Sequence, residues 1–547
     1  MPRRTLFALL IYTLLIQGGT CLAQSFEDVV SEVIRQKVGD SPDITELKVN
    51  GCQVSSLSVL PELYKHRLYR PIWVSEESIG QLVHAIEDTY LEGLNPEDYH
   101  LSDIGRLQKS IREKPLSDPK IAADLDILLT DAFIRLTYHS FCGKEDPLTY
   151  HPQWNLAVKI DDTDPVAFIE KEVAASSVAQ AISGVKIHHP YYEGLKKALA
   201  EYRSIRDGGS WEAVPEGLSL KKGTIDPRVA LLRKRLSVTG DLSDSSMDPM
   251  TFDGVLEQAV IRFQRRHGLK SDGVAGKGTL TAMNVTVDDR IDQIRVNLER
   301  ARWMLHDLDK QFVLVDIAGY RVFFYKENKA VWSCKAQVGQ PYRDTPVFRS
   351  SIIHVEFNPS WIVPPGIFRK DVLPAVMKDS KYLSQKDLSV IDDRGAIVDP
   401  NSINWSRYAD MPFPYRLRQN PGENSALGRI KIFFPNEYLV YLHDTPSKAL
   451  FEEEERTFSS GCIRVEKPME LAELLLDDPV RWGMEGVIQA VESGKNQKVS
   501  LPRPITVLLM YWTVEADEEG NVYFKKDPYN RDKPVLDGLG RDAGIRP

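Results

Sequence analysis

The chain has 547 residues, of which 42% are hydrophobic and 27% charged, and its formal net charge is -9. This length exceeds what one hydrophobic core usually organises, so it predicts two to four domains. The acidic balance argues against a nucleic-acid-binding protein, which usually presents a basic face.

The first residues are typical of an export signal. A basic pair, Arg3-Arg4, precedes an apolar run over 6–16 and a cleavage site at Cys21-Leu22-Ala23. The apolar run is shorter than the about 20 residues that a bilayer-spanning helix needs. We therefore predict a signal peptide over 1–23 and an exported, periplasmic mature chain without a stable membrane span.

Four cysteines remain after this predicted cleavage: Cys52, Cys142, Cys334 and Cys462. They are too few to form the disulfide scaffold of so long a chain. Cys52 and Cys142 either pair with each other or stay as isolated thiols, and the sequence leaves both open.

Residues 24–222 show the periodicity of helices. Apolar residues recur at spacings of three and four over 82–86, 122–133 and 195–202. No catalytic constellation lies in this region. We predict a helical domain that acts as a scaffold or as a docking site for a partner.

Residues 223–288 carry a glycine-punctuated motif between two predicted helices. Phe263-Gln264 is followed by Gly268-Leu269, Asp272-Gly273 and Gly276. The first helix should end near Gly268, because glycine readily adopts the left-handed conformation of a C-cap. The pattern is similar to that of the small three-helix peptidoglycan-binding domain, which implies a wall-targeting module. The alternative is that the glycines are ordinary turns in a structural unit.

A helical stretch over 289–310, with one apolar face, is predicted to connect this unit to a β-rich region. From Phe312 the apolar period changes to that of strands. We predict a mostly β domain over 311–530 and a C-terminal tail over 531–547. A polar, proline-rich insertion over 366–424 interrupts the strands, and it forms either a capping subdomain or a long surface excursion.

The segment with the most chemical information contains Cys462 and follows His443 by nineteen positions. A free thiol has a pKa of about 8.5, and its thiolate is the nucleophile. An imidazole can accept that proton and return it to a leaving amine. Ser460 and Gly461 place small side chains beside the sulfur, and their amides, with that of Cys462, are candidates to face an oxyanion.

Strand alternation places Tyr441 on the same face as His443. The same alternation turns Asp444 away, so we expect a backbone carbonyl to fix the imidazole tautomer. Arg464 either binds a substrate carboxylate or supports the cysteine loop, and Ser459 should hydrogen-bond within that loop. Trp361 is a candidate wall of the cleft. The acidic run 452–455 is expected to be a solvated loop face, or to attract a cationic acceptor.

The Ser459-Ser460-Gly461-Cys462-Ile463-Arg464 segment resembles the Ser-x-Gly-Cys-x-Arg signature of bacterial L,D-transpeptidases. Further segments of the same resemblance occur in the order seen in the large periplasmic members of that family. They are Asn358-Pro359-Ser360-Trp361-Ile362-Val363-Pro364-Pro365, Ala426-Leu427-Gly428-Arg429, Tyr441-Leu442-His443-Asp444-Thr445-Pro446 and Leu450-Phe451.

The resemblance implies an enzyme that forms 3-3 peptidoglycan cross-links. Cys462 is then the nucleophile and His443 the general base and acid, and a tetrapeptide donor stem loses D-Ala through a thioester. The partners implied are stem peptides (donor carbonyl and acceptor diaminopimelate amine) and other cell-wall synthases. It also implies acylation by carbapenems and catalysis without a cofactor.

Three alternatives remain open. Water as the acceptor gives a carboxypeptidase, and a protein lysine gives a lipoprotein-attaching transpeptidase. A non-catalytic peptidoglycan-binding protein is a third, although Cys462, Gly461 and His443 all being present weighs against it. A metal site is not expected, since the sequence has neither HExxH nor Cys-x-x-Cys.

Overall fold

The structure is a computed structural model that describes residues 25–39, 46–113, 118–155, 165–174, 177–243, 248–306, 308–327, 329–517 and 519–541. The predicted signal peptide lies outside the described residues. Within them, no helix is both long enough and apolar enough to cross a bilayer.

The N-terminal region is helical, as predicted, and is built around one long buried helix. That helix, α5, spans 24 residues and begins after the capping side chain of Asp118. The helices of the N-terminal region are α1 Phe26–Val38, α2 Leu60–His66, α3 Glu76–Asp88, α4 Leu101–Glu113, α5 Pro119–Cys142, α6 Pro147–Tyr150, α7 Pro165–Ala174, α8 Val178–Val185 and α9 Pro190–Asp207. A short hairpin of β1 Leu47–Val49 and β2 Cys52–Val54 packs against α5. No disulfide joins Cys52 and Cys142 in the described part of the chain, so the open question of their pairing is answered.

The second unit consists of α10 Pro227–Val238, α11 Gly254–Arg266 and α12 Lys277–Met283 around their own apolar core. The glycine motif folds back onto Gln264. The Gln264 side-chain amide donates to Asp272, to the Val274 carbonyl and to Thr279, and its oxygen accepts from the Gly273 amide. The motif therefore encodes a compact helix–loop–helix, with Gly273 at a φ of 72° that favours glycine.

The connecting helix, α13, spans Val287–Arg302 and ends eight residues before the predicted boundary at 310. After it the chain turns, and the Trp303 indole folds back to donate to Glu299. The predicted C-terminal tail also needs correction, because α20 Asp532–Leu539 lies within it and packs against α13. Buried Val535 and Leu539 make this segment part of the core rather than an appendage.

The region predicted as a mostly β domain is β-rich, and its main sheet closes on itself. Strand order is β13-β5-β14-β12-β11-β6-β15-β3-β4, and β4 also pairs with β5, so eight strands form a mixed barrel with β13 at its side. The strands are β3 Gln311–Asp316, β4 Arg321–Lys326, β5 Lys329–Gly339, β6 Phe348–Phe357, β11 Ile430–Phe433, β12 Leu442–His443, β13 Thr457–Ser459, β14 Ile463–Val465 and β15 Gln497–Met510. Helices α17 Pro468–Leu476, α18 Pro479–Trp482 and α19 Met484–Glu492 and the hairpin β16 Val514–Ala516 with β17 Val522–Phe524 complete the region.

The insertion over 366–424 is a small structural unit with its own apolar core. A four-stranded antiparallel sheet, β7 Trp361–Ile362, β8 Leu388–Ile391, β9 Ile397–Val398 and β10 Arg416–Gln419, has the order β7-β10-β8-β9. Helices α14 Pro365–Ile367, α15 Leu373–Lys378 and α16 Tyr382–Gln385 lie with it, and a π turn joins the first two. Because β7 precedes the insertion, pairing of β7 with β10 fixes this unit to the barrel.

Candidate active site

All the predicted site residues except Gly461 line one cleft of about 370 Å³ between the barrel and the insertion. The cysteine loop connects β13 to β14, while His443 ends β12. In the parallel pair β12–β14, Leu442 lies opposite Ile463 and His443 opposite Arg464. The cleft lining includes Trp361, Tyr441, His443, Ser459, Ser460, Cys462 and Arg464.

The His443 ring has one defined tautomer. Its Nδ1 lies 2.5 Å from the backbone oxygen of Asp444, so Nδ1 carries the hydrogen and Nε2 is left as an acceptor. A backbone carbonyl thus orients the ring, as the strand geometry predicted. Burial, and next the charge of Arg464, lower the pKa of His443 to about 3, so the ring is neutral at physiological pH.

Asp444 supports this arrangement from the side facing away from the cleft. Its carboxylate accepts the Arg429 amide at 2.8 Å and the Lys448 ammonium at 2.5 Å. Gly428, at a φ of 60°, passes so close that a Cβ there would lie 2.4 Å from the carboxylate carbon. The Gly428-Arg429 and His443-Asp444 segments therefore pack together, and their contacts fix the backbone that orients the imidazole.

The cysteine loop is closed by internal hydrogen bonds. Ser459 Oγ donates to the Cys462 carbonyl at 2.5 Å and accepts the Gly461 amide at 3.1 Å. This corrects the expectation that the Gly461 amide faces an oxyanion, because that amide is already used within the loop. Gly461 instead supplies a φ of 113°, which other residues rarely adopt. The Ser460 and Cys462 amides make no hydrogen bond to a described residue.

The thiol of Cys462 is half-buried and faces Tyr441. Burial raises its pKa, whereas the Tyr441 backbone and hydroxyl and the charges of Lys431 and Arg464 oppose that rise. The Tyr441 hydroxyl also interacts with the Trp361 indole. Both aromatic residues are therefore walls of the cleft beside the sulfur.

Arg464 has no carboxylate partner among the described residues. Its Nη1 donates to the Gln337 side chain at 3.1 Å, and its buried Nε has no hydrogen-bond partner. None of its nitrogens contacts a backbone carbonyl of the cysteine loop, so the loop-support role has no contact to carry it. A cation held at the cleft with unused donors is suited to bind a carboxylate.

Sequence reasoning missed two residues of the site. Arg343 Nη1 donates to Ser460 Oγ at 3.0 Å and joins the cysteine loop to Asp371 of the insertion. Lys431 lies opposite His443 in the β11–β12 register, and its Nζ is 4.3 Å from the Tyr441 ring centroid. Alternation of buried Ile430 and Ile432 places Lys431 on the outer face, but only the strand register brings that face to His443.

The acidic run 452–455 is an exposed loop face, as predicted, and three of its carboxylates have partners. Glu452 pairs with Lys335 at 2.9 Å and Glu455 with Lys526 at 2.5 Å. Glu454 accepts the Lys270 amide at 2.9 Å and thereby contacts the second unit. Among the described residues, no group of three His, Cys, Asp or Glu side chains is placed to hold a metal ion.

Comparison with known families assigns three parts of the chain. Residues 58–199 match a scaffold domain, residues 226–283 match the family described as "Putative peptidoglycan binding domain", and residues 310–481 match an L,D-transpeptidase catalytic domain. A Haemophilus influenzae protein named "Putative L,D-transpeptidase" is 35% identical over 223 residues, which cover 41% of this chain and 45% of that protein. The matched region thus spans less than half of that relative.

Solved structures of low sequence identity were also matched. The L,D-transpeptidase of Xylanimonas cellulosilytica is 15% identical, with a TM-score of 0.18, over 54% of this chain and 99% of that chain. The L,D-transpeptidase of Stackebrandtia nassauensis is 13% identical, with a TM-score of 0.22, over 55% and 96% respectively.

Proposed function

We propose that the protein forms 3-3 cross-links in peptidoglycan through residues 310–481, which match an L,D-transpeptidase catalytic domain. The chain also matches a peptidoglycan-binding domain and a scaffold domain. The observation that carries this proposal is the cleft in which Cys462 lies with a neutral His443 of fixed tautomer and with Arg464, which has no carboxylate partner in the described part of the chain.

The first half-reaction forms a thioester. Cys462 Sγ attacks the carbonyl carbon between the L-centre of meso-diaminopimelate and D-Ala, and its proton passes to His443 Nε2. As the tetrahedral intermediate collapses, the C–N bond breaks and His443 returns the proton to the departing D-Ala amine. Since His443 is neutral at rest, it can accept this proton without first losing one.

The Ser460 and Cys462 amides are the proposed oxyanion donors, because the Gly461 amide is used within the loop. Arg464 is proposed to bind a donor carboxylate, which fixes the scissile bond relative to the sulfur. Trp361 and Tyr441 confine the stem peptide from the side of the insertion.

The second half-reaction transfers the acyl group. The side-chain amine of a second stem attacks the thioester, a C–N bond forms, the C–S bond breaks, and His443 carries the amine proton to the sulfur. No step requires a cofactor. A carbapenem is expected to acylate Cys462 by the same attack, with ring opening in place of D-Ala release.

Action on the wall implies an extracytoplasmic location, which we propose to be periplasmic and wall-associated. The peptidoglycan-binding domain would hold the enzyme on its substrate, and the scaffold domain is the proposed contact surface for other wall synthases.

Mass spectrometry of a disaccharide-tetrapeptide incubated with the mature protein tests this function. Loss of D-Ala together with dimer formation is expected, and Cys462→Ala should abolish both. His443→Gln should retain the fold but lose activity by at least about a hundredfold, the usual effect of general acid–base catalysis. Monomers that lose D-Ala without dimer formation would indicate hydrolysis, and modification of a lysine peptide would indicate protein attachment. No product under any condition would favour a non-catalytic wall-binding protein.

A further inference from the structure

A second cavity, of about 580 Å³, lies between the peptidoglycan-binding domain and the barrel. We call it the junction cleft, and it is separate from the catalytic cleft. Its walls are the end of α11 at 265–268, the β3–β4 turn, Glu454 and Arg456 of the acidic loop, and the β16–β17 hairpin with Lys526. Only the first of these belongs to the peptidoglycan-binding domain.

The lining of the junction cleft has more basic than acidic side chains, although the whole chain is acidic. Six Lys or Arg and four Asp or Glu side chains line it. Lys525 is neutralised within the wall, since it pairs with Asp316 at 2.5 Å and with Glu515 at 3.2 Å. Arg266 and Lys526 have carboxylate partners outside the cleft.

Three arginines of the lining form no ion pair with any described residue. Arg321 donates only to Ser333, and Arg456 donates only to backbone carbonyls. Arg265 is exposed and makes no side-chain hydrogen bond in the described part of the chain. The lining also contains Glu454 and Asp517, which form no ion pair with a described residue, and Asp316 and Glu515 share Lys525. The feature that suits a carboxylate ligand is therefore the group of three guanidinium ions without a carboxylate partner, not a net charge of the cleft.

Tyr320 provides an independent sign of a ligand. Its hydroxyl is buried in the wall of the cleft without a hydrogen-bond partner, and the residue is 6% exposed. Its backbone has a φ of 53°, which is rare for a bulky side chain. The amide of Ala336 and the guanidinium of Arg456 both bind the Tyr320 carbonyl and hold this conformation. Strained residues and unpaired buried polar groups concentrate at functional sites.

We propose that the junction cleft binds a carboxylate-bearing stem peptide of the wall, at a site distinct from the one that reacts. The Tyr320 hydroxyl donates to the carboxylate, and Arg265 and Arg321 neutralise it. The volume suits one peptide segment rather than a long polymer. This inference rests on the proposed function, because that function supplies the peptide as the natural ligand.

The site is also connected to the cysteine loop. Arg456 binds the Tyr320 carbonyl and directly precedes β13, whose last residue, Ser459, closes the loop around Cys462. Occupancy of the junction cleft should therefore rigidify the segment that leads to the nucleophile.

Hydrogen–deuterium exchange with mass spectrometry can localise binding at both clefts separately. The Cys462→Ala protein is incubated with the disaccharide-tetrapeptide, and with the same compound carrying carboxamides in place of free carboxylates. We expect the free-carboxylate ligand to slow exchange in 316–326 and 452–459, and the amidated ligand to lose this effect. In the double variant Tyr320→Phe with Arg321→Gln, the ligand concentration that gives half of the maximal slowing at 316–326 and 452–459 should rise about tenfold or more.

Lys109→Gln, which removes one positive charge from an exposed face of α4, is the matched control and should change nothing. Unchanged exchange at 316–326 and 452–459, with clear protection at 438–444 and 460–464, would overturn this inference and leave the proposed function intact. Protection that persists in Tyr320→Phe with Arg321→Gln, or with the amidated ligand, would also overturn it. Absence of protection at both clefts would count against the proposed function as well.

Discussion

At the scale of single residues, a stack of three side chains controls the charge next to the nucleophile. The Lys431 ammonium lies beneath the Tyr441 ring, and the His443 ring meets the same aromatic edge-on, with centroids 5.7 Å apart. Lys431 has one carboxylate nearby, Glu356 at 3.9 Å. Burial lowers the pKa of Lys431, while the Glu356 and Cys462 charges oppose that change. The charge of Lys431 thus favours the thiolate of Cys462.

Two variants should shift the thiol pKa in opposite directions. In Lys431→Met the cation is lost, so the pKa of Cys462 should rise by about one unit. In Glu356→Gln a competing anion is lost, so the pKa should fall. The pH dependence of Cys462 alkylation by iodoacetamide measures this directly and requires no substrate. Lys431→Arg keeps the charge and should leave the profile in place, and shifts of equal sign in the two variants would contradict the idea.

Much of this site was predictable from residue types and spacing. The Cys462 and His443 pair, the shared face of Tyr441 and the backbone carbonyl that orients the ring follow from strand alternation and thiol chemistry. The use of the Gly461 amide by Ser459 was not predictable, because it depends on a loop conformation. Lys431 was missed because only the β11–β12 register places it opposite His443. Arg343 was missed because it lies 117 positions before its partner Ser460.

At the scale of elements, strand pairing and an ion pair attach the insertion over 366–424, which we call the cap, to the barrel. The pairing of β7 with β10 is one attachment. A second is the two-pronged pair between Arg343 and Asp371, at 2.5 and 2.9 Å, which also holds Ser460 through the same guanidinium. Position of the cap and conformation of the cysteine loop are therefore coupled through one side chain.

Asp371→Asn should loosen the cap. The pair is partly exposed, so its loss should cost about 1 kcal/mol or less, which corresponds to a fall of up to about fivefold in kcat/KM for the donor. Faster hydrogen–deuterium exchange in 366–424 should accompany that fall. Asp393→Asn, in the exposed β8–β9 turn of the same cap, is the control and should change neither quantity. Lower activity with unchanged exchange would argue against coupling through Arg343.

Elements with strong periodicity were predicted better than those defined by tertiary packing. The strands around Phe312 and Val322 and the helices of the peptidoglycan-binding unit follow local patterns. The connecting helix ends at Arg302 because Trp303 turns back onto Glu299, which periodicity does not reveal. The helix at Asp532–Leu539 was overlooked because its stability comes from burial against α13 rather than from a long amphipathic pattern.

At the scale of the whole molecule, a buried histidine joins the peptidoglycan-binding domain to the β16–β17 hairpin. The His267 ring stacks on Phe263 of its own domain, with centroids 3.7 Å apart, and on Phe524 of β17 at 5.6 Å. Its Nδ1 hydrogen bonds to the Phe263 carbonyl. Burial, assisted by the charges of Arg266, Arg290 and Arg235, holds its pKa well below the usual value. The docked form therefore keeps this ring neutral.

Docking of the two domains should consequently weaken in acid. Once the domains separate, His267 would titrate near 6.5. The contribution of the neutral ring to the free energy of docking is therefore complete above that pH, and it falls by about 1.4 kcal/mol for each pH unit below it. From pH 7 to 5, hydrogen–deuterium exchange should rise at 263–268 and in the β16–β17 hairpin. His267→Gln removes the titrating group and should flatten this dependence, whereas His84→Gln, at an exposed site on α3, should preserve it. Among the described residues, His267 is the imidazole that lies between Phe263 and Phe524. If His267→Gln showed the same pH response as the unmodified protein, another group would have to be the acid-sensitive one.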